Sequence, residues 1–452
     1  MRAAVKTELR ELIRLSLPLA AAQAGTQLMG LVDVAVLGRY GALELAASGL
    51  GNAVFFGFSM MGMGMMFGVD PMISQAIGAG DHTRARQILW QGIWLAFAVT
   101  VVLMAILFTA AYLLPWFGVE RELIAPARTY LVIRTFGAAP YLLLIVVRGY
   151  LQALGITRPL LIAMIAANVV NLAGDILLVF GGGILPEWAG PLRAIPAMGV
   201  AGAAISTLTC ALLQLAIVAF AVRAAEVPGH VEHRWSTREI GQAFRVGLPV
   251  ALQLGAEIGI FALVAVLAAR LGTLHLAAHQ LAIALAAFTY TVSLGIAAAG
   301  SVRVGIAIGA RDPIATRFAG HLTFLVGGGT MAFMGAVFAL WPRAIARIVT
   351  DQADVIAAAT PLMLVAAVFQ LSDGIQATGS GVLRGAGDTK FAFWANVAGH
   401  WFIGFPIALY LGFQRGMGIV GLWWGLCAGL TAVAVLLFVR FERLSRTAIE
   451  PI

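Results

Sequence analysis

Residues 91–114 read QGIWLAFAVTVVLMAILFTAAYLL and contain no Asp, Glu, Lys or Arg. About 20 predominantly apolar residues in a helix cross the roughly 30 Å hydrocarbon layer of a bilayer. A barrel strand would instead alternate apolar and polar residues over about ten positions. This run does not alternate, so it reads as a membrane-spanning helix. Runs of the same kind lie outward from it at 15–37, 47–69, 129–147, 159–181, 197–222, 246–269, 277–299, 320–341, 358–381, 391–412 and 417–439. The gaps between them leave no room for a separate soluble domain. Backbone in lipid must satisfy its hydrogen bonds within helices or closed barrels. The predicted fold class is therefore an all-α integral membrane protein with 12 transmembrane helices.

Composition agrees. Of 452 residues, 61% are hydrophobic and 11% charged, and mean hydropathy is +0.94; a soluble chain is about a quarter charged. A soluble enzyme and a disordered chain are excluded on these grounds. The two cysteines, Cys210 and Cys427, both fall in predicted spans and make no disulfide framework. The net charge of +8 does not indicate nucleic acid, because no basic run of five or more occurs.

The positive charge instead orients the chain. The side that carries the N-terminus collects Arg2, Lys6, Arg10, Arg14, Arg84, Arg86, Arg148, Arg158, Arg303, Arg384, Arg440 and others, while Arg39, Arg121, Arg128, Arg193, Arg270, Arg343, Arg347 and Arg415 fall on the opposite side. Cytoplasmic loops hold the excess of Lys and Arg, so both termini are expected in the cytoplasm of a bacterial inner-membrane protein. Met1–Arg14, charged and amphipathic, reads as a surface helix leading into the first span rather than a cleaved signal peptide.

The two halves repeat each other. Leu17-Pro18 recurs as Leu248-Pro249, and LGRYGALELAA (37–47) faces AARLGTLHLAA (268–278). Ala76-Ile77-Gly78-Ala79 with Asp81 recurs as Ala307-Ile308-Gly309-Ala310 with Asp312. Gly149, Leu151, Gly155 and Thr157 match Gly381, Leu383, Gly387 and Thr389. Each half holds six spans, an even number, so the halves share one orientation and are related by a pseudo-twofold axis along the membrane normal. The expected organisation is an N-lobe at 1–222, a cytoplasmic linker at 223–245 and a C-lobe at 246–452, with a cleft between lobes that rock to give alternating access. Within the linker, His230 and His233 read as solvated, since a metal site needs three or four ligands.

Four acids sit inside predicted spans: Asp33, Asp175, Glu257 and Asp373. An ionisable residue in the bilayer is costly and marks a pathway or relay by default. Asn168, Asn171 and Asp175 follow i, i+3, i+7 and share one helix face; Gln23, Thr26, Gln27, Gly30 and Asp33 form a similar stripe. In the second half Gln253 pairs with Glu257 at i+4, and Asp373, Gln376 and Ser380 repeat the i, i+3, i+7 pattern. Such carboxyls with amide and hydroxyl oxygens suit a shared proton or a hard cation such as Na⁺. The duplication does not keep the acids: Asp33 maps to Val264, Glu257 to Thr26 and Asp373 to Tyr141. Span two is rich in methionine, and Met60, Met61 and Met63 are candidates for an adaptable substrate wall. No Walker loop, GxSxG, HExxH or Cys–His grouping is present, so no enzyme and no cofactor is expected, and energy must come from an ion gradient.

Over essentially its whole length the chain resembles the multidrug and toxic compound extrusion (MATE) family. The resemblance rests on the twelve spans, the duplication and four motifs: LPLAAAQAGTQLMGLVDVAVLGRYG (17–41), NVVNLAGDILLVFG (168–181), GLPVALQLGAEIGIF (247–261) and LSDGIQATGSGVLRGAGDTK (371–390). It implies a cation-coupled antiporter that exports organic cations, drugs and other toxic compounds. Asp33 resembles the family's first-helix acid, Asn171 and Asp175 the Asn-x-x-x-Asp pair of the DinF-like branch, and Thr207 a nearby hydroxyl. Glu257 and Asp373 resemble the acids of the NorM-like branch, except that a Tyr four residues before the second acid is here Phe369. The more complete N-lobe set favours H⁺ over Na⁺ as coupling ion. The expected partners are small organic substrates and the lipid bilayer, with no nucleic acid, and the chain is expected to be a monomer. The alternative function is a flippase for a lipid-linked saccharide or other amphipathic lipid.

Overall fold

A computed structural model describes residues 2–225 and 231–452, with residues 2–4 as backbone only. It is built from α-helices joined mostly by short turns, with a longer connection of two 3-10 helices, Gly182–Ile184 and Glu187–Ala194, between the seventh and eighth helices. The first lobe comprises α1 (Arg2–Tyr40), α2 (Ala42–Met66), α3 (Val69–Gly78), α4 (His82–Leu113), α5 (Arg121–Thr135), α6 (Ala138–Ala153), α7 (Arg158–Phe180) and α8 (Val200–Ala224). The second comprises α9 (Thr237–Arg270), α10 (Thr273–Gly309), α11 (Pro313–Leu340), α12 (Pro342–Val349), α13 (Ala353–Gly385), α14 (Thr389–Val397), α15 (Phe405–Leu409) and α16 (Gly418–Leu444). Helices α2 and α3 run on as one span, as do α14 and α15. Among the described residues, eleven helices are long and apolar enough to cross a membrane, and the pair α5 and α6, bent by 41°, makes a twelfth if taken as one span. The bend has a cause: Pro140 lacks an N–H, and its ring crowds the carbonyl four residues earlier. Large apolar side chains face outward along the spans, among them Val101, Phe220, Leu325 and Phe402, as hydrocarbon requires.

The repeated motifs turn out to be helix punctuation. Asp81 accepts from the Arg84 N–H at 2.8 Å and caps α4; its counterpart Asp312 accepts from the Ala315 N–H at 2.9 Å and caps α11. Gly155 and Gly387 occupy the left-handed backbone region at φ 72° and 79°, each just after a helix end, where a Cβ is penalised. Two π-helical stretches, Ala398–Gly404 and Tyr410–Gln414, widen the eleventh span. There Gly399 and Gly404 bring the backbone against Gly429 of α16.

The expected surface helix at Met1–Arg14 is instead continuous with the first span: α1 runs unbroken from Arg2 through Pro18, with Leu12 and Leu15 buried. Of the linker, residues 226–230, including His230, lie outside the described residues. Its last residues form the start of α9, capped by the Ser236 hydroxyl. His233 packs its ring edge-on against Trp90, and its carbonyl accepts from Trp94.

The lobes meet at the end that carries the chain termini. Gly68 of the first lobe lies so close to α9 that an added Cβ would fall 2.1 Å from the Ala243 carbonyl oxygen. Gly78 approaches the Ile306 carbonyl at 2.0 Å by the same measure. Ion pairs Arg84–Glu239 and Arg303–Glu8 also cross between lobes at this end. Towards the other end the apolar clusters are separate. One, with Ala47, Tyr130, Val200 and Ala204, belongs to the first lobe alone. Another, with Leu281, Phe338, Met363 and Trp423, belongs to the second alone. The molecule is therefore closed at the terminal end and parted at the far end.

Candidate functional site

The N-lobe acids come together where α1, α7 and α8 converge. Close packing allows it: Gly174 of α7 lies against the Ser206 side chain, and Gly202 of α8 against the backbone at Leu178. Asn171 Nδ2 donates to Asp33 Oδ1 at 2.8 Å; Thr207 Oγ1, whose one proton has the Ala203 carbonyl at 2.9 Å as its nearer acceptor, lies 3.4 Å from Asp33 Oδ2. Ser206 Oγ donates to the Asn171 carbonyl at 3.2 Å. Asp175 is fully buried, and neither carboxyl oxygen has a hydrogen-bond partner within 3.5 Å among the described residues. Its nearest polar neighbours are Asp33, Ser206 and Asn171. Two carboxyls, an amide and two hydroxyls thus share one site near the far end of their helices.

No Lys, Arg or His pairs with either carboxyl within 4 Å among the described residues. Arg134, an arginine inside the predicted fourth span, is buried and stacks over the Phe55 ring at 4.4 Å. None of the ion pairs among the described residues includes Asp33, Asp175, Glu257 or Asp373. A carboxyl held this way in low dielectric without a counter-ion is poised to take up a positive charge.

The C-lobe site lies on α9, α13 and α14. Gln376 Nε2 and Asn396 Nδ2 (3.1 Å) both donate to Glu257 Oε1. Gln253 Nε2 donates to Ser380 Oγ at 3.1 Å. Asp373 is buried on the same α13 face as Gln376 and feels the charge of Glu257. Phe369 is packed between Phe261 and Trp423.

The remaining predicted residues scatter. Gln23 accepts from Arg148 at 3.4 Å, and Gln27 is exposed. Asn168 Nδ2 ties α7 to α1 through the Gly25 carbonyl at 3.1 Å. Met63 accepts from the Tyr141 hydroxyl at 3.4 Å, and Met61 reaches toward Gly255 of the other lobe; Met60 is half-buried on the same helix. Sequence reasoning missed Asn396, whose signal is a lone amide inside an apolar span. It also placed Asp70, Arg148 and Arg384 in loops, and the structure corrects this. Asp70 is on α3, Arg148 on α6 and Arg384 on α13, all between the lobes, because a hydropathy window stops at a charge while the helix does not.

The MatE family model matches residues 18–177 and 249–410, once in each half. The chain is 33% identical over 450 residues to the "Probable multidrug resistance protein NorM" of Rhizobium meliloti strain 1021, covering 97% of this chain and 94% of that one. It is 34% identical over 447 residues to the NorM protein of Deinococcus radiodurans, covering 96% and 95%. In fold it is similar to the eukaryotic MATE transporter AtDTX14, with a TM-score of 0.84 at 20% identity and 98% of both chains covered. It is also similar to a structure described as the outward-facing conformation of a multidrug resistance MATE family transporter, with a TM-score of 0.86 at 20% identity, covering 97% and 96%.

Proposed function

This chain belongs to the MatE family of multidrug and toxic compound extrusion transporters, and on that premise we propose that it is a proton-coupled antiporter exporting organic cations and other toxic compounds. It is a membrane transporter and not an enzyme. The observation that carries the proposal is a pair of carboxyls in each lobe, one half-buried and met by amide or hydroxyl groups (Asp33, Glu257) and one buried (Asp175, Asp373), none of them in an ion pair among the described residues.

The donors favour H⁺ over Na⁺. A sodium site presents oxygens inward. Here Asn171, Gln376 and Asn396 point N–H groups at the carboxylates. They stabilise the ionised form, and a proton arriving on Asp33 displaces one of them. Losing the Asn171 bond loosens α1 from α7. Since α1 also reaches the second lobe through Glu8 and Arg303, that change is transmitted to the lobe interface. Proton uptake from the far side then exchanges for substrate release there, and the reverse occurs when the terminal end opens. The protein acts as a monomer in a bacterial inner membrane, with both termini in the cytoplasm.

The test is ethidium transport in proteoliposomes. An imposed pH gradient drives ethidium accumulation with Na⁺ wholly replaced, and a protonophore abolishes it. Accumulation driven by a Na⁺ gradient alone, and indifferent to pH, would overturn the proton assignment.

A further inference from the structure

Gln75, at the closed terminal end, holds three parts of the second lobe at once. It lies on α3 and is 3% exposed. Its backbone is pressed against α10, where a Cβ at Gly309 would fall 1.9 Å from the Gln75 carbonyl oxygen. Its Nε2 donates to the Gly385 carbonyl at 3.2 Å. Gly385 is the last residue of α13, and the final carbonyls of a helix have no partner within it. Gln75 Oε1 accepts from the Ile452 N–H at 2.7 Å. One first-lobe glutamine therefore clasps both the base of α13 and the segment that follows α16.

That segment is placed by its own contacts. Ile449 packs on the second-lobe cluster that contains Val304, Val382 and Phe441. Ile452 then lies over Gly387, where a Cβ would fall 2.3 Å from its Cδ1, so the missing side chain makes its seat. Ile452 is 38% exposed: it covers the seam from outside and leaves it without opening a core. The segment that follows α8 is gripped in the same manner. Gln91 of α4, buried, donates from Nε2 to the Arg234 carbonyl at 2.8 Å and accepts at Oε1 from the Ser236 N–H at 2.9 Å. Ser236 caps α9, so the Gln91 clasp bears on the covalent connection between the lobes. The Gln75 clasp bears on a segment that joins them by non-covalent contacts alone.

We propose that residues 449–452 are a strap: seated on Gly387 and bonded to Gln75 they hold the terminal end closed, and they let go of Gln75 when that end opens. Gly387 belongs to the second lobe and Gln75 to the first, so no position of Ile452 keeps both contacts once the lobes part here. A contact present in one state alone biases the equilibrium toward that state. Release also strips a buried amide oxygen of its donor, which costs more than the bond itself contributes. The strap acts on the opening of the two lobes and does not depend on which ion or substrate drives it.

The experiment measures the distance between nitroxides at His82→Cys and Ile314→Cys, exposed positions at the terminal end of the two lobes, in the full-length protein in lipid nanodiscs. Deleting residues 449–452 is expected to raise the ratio of long to short distances about fivefold, the equivalent of one net hydrogen bond. Ile452→Asp, which unseats the segment without shortening the chain, is expected to act in the same direction. Gln75→Leu should raise the ratio further, since the Gly385 bond is lost as well. In the Gln75→Leu background the deletion should change the ratio by less than about twofold, because the strap reaches the first lobe through that side chain. In the Gln75→Glu background, which keeps the acceptor for Ile452, the deletion should keep its full effect. An unchanged distance distribution on deletion would overturn the proposal, and so would an equal effect with and without Gln75. A lowered melting temperature with unchanged distances would mark residues 449–452 as packing of the second lobe only, with the same consequence. A wild type that shows one distance under all conditions would instead remove alternating access, and the strap with it.

Discussion

Asp33 accepts from Asn171 on α7, has the Thr207 hydroxyl of α8 at 3.4 Å, and enters no ion pair among the described residues, and its chemistry follows from that. Asp33→Asn keeps the shape and removes the carboxylate charge. We expect the variant to insert and melt within a few degrees of wild type, and to lose pH-driven ethidium accumulation in proteoliposomes. Wild-type transport by this variant would remove Asp33 from the mechanism. In the C-lobe, Asn396→Leu takes one of two amide donors from Glu257 Oε1. Loss of one such bond to a charged group is worth about 1.5–3 kcal/mol, so pH-driven ethidium accumulation should fall about tenfold or more; wild-type accumulation by this variant contradicts this role. The acids themselves were legible from sequence, since a carboxyl in an apolar span is conspicuous. Asn396 was not, because a lone amide among apolar residues usually satisfies itself locally.

At the scale of elements, the duplication reads as conserved helix ends. Asp81 and Asp312 cap equivalent helices, and the backbone at Gly80 and Arg311 is left-handed in both halves. Asp312→Ala leaves the first turn of α11 without its acceptor and should destabilise the protein by about 1 kcal/mol, read as a lowered melting temperature in detergent; a shift indistinguishable from zero contradicts the cap. The twelve spans were legible from hydropathy because lipid enforces long apolar runs. What hydropathy could not show is how helices extend past their charges. Asp70, Arg148 and Arg384 were lost to loops for that reason, and α1 runs without a break from the residues that read as a surface helix into the first span. The bend between α5 and α6 falls inside the predicted fourth span, where apolar residues on both sides of Pro140 conceal it.

For the whole molecule, the closed terminal end and the parted far end define one of two states. The ion pairs Arg84–Glu239 and Arg303–Glu8 exist only while the terminal end is closed, so removing both with Glu239→Gln and Glu8→Gln should shift the population toward the opposite state. Spin labels at Leu43 and Leu274, exposed positions at the far end of each lobe, should then report shorter distances; an unchanged distribution contradicts the assignment of these pairs to the gate. The account as a whole rests on exchange of one positive charge for another at buried carboxyls. Its most direct test is proton release from the purified, weakly buffered protein when substrate is added. Wild type should release protons in proportion to substrate bound, and Asp33→Asn should release measurably fewer. Substrate binding by the wild type with no proton release at any pH between about 5 and 8 would contradict it.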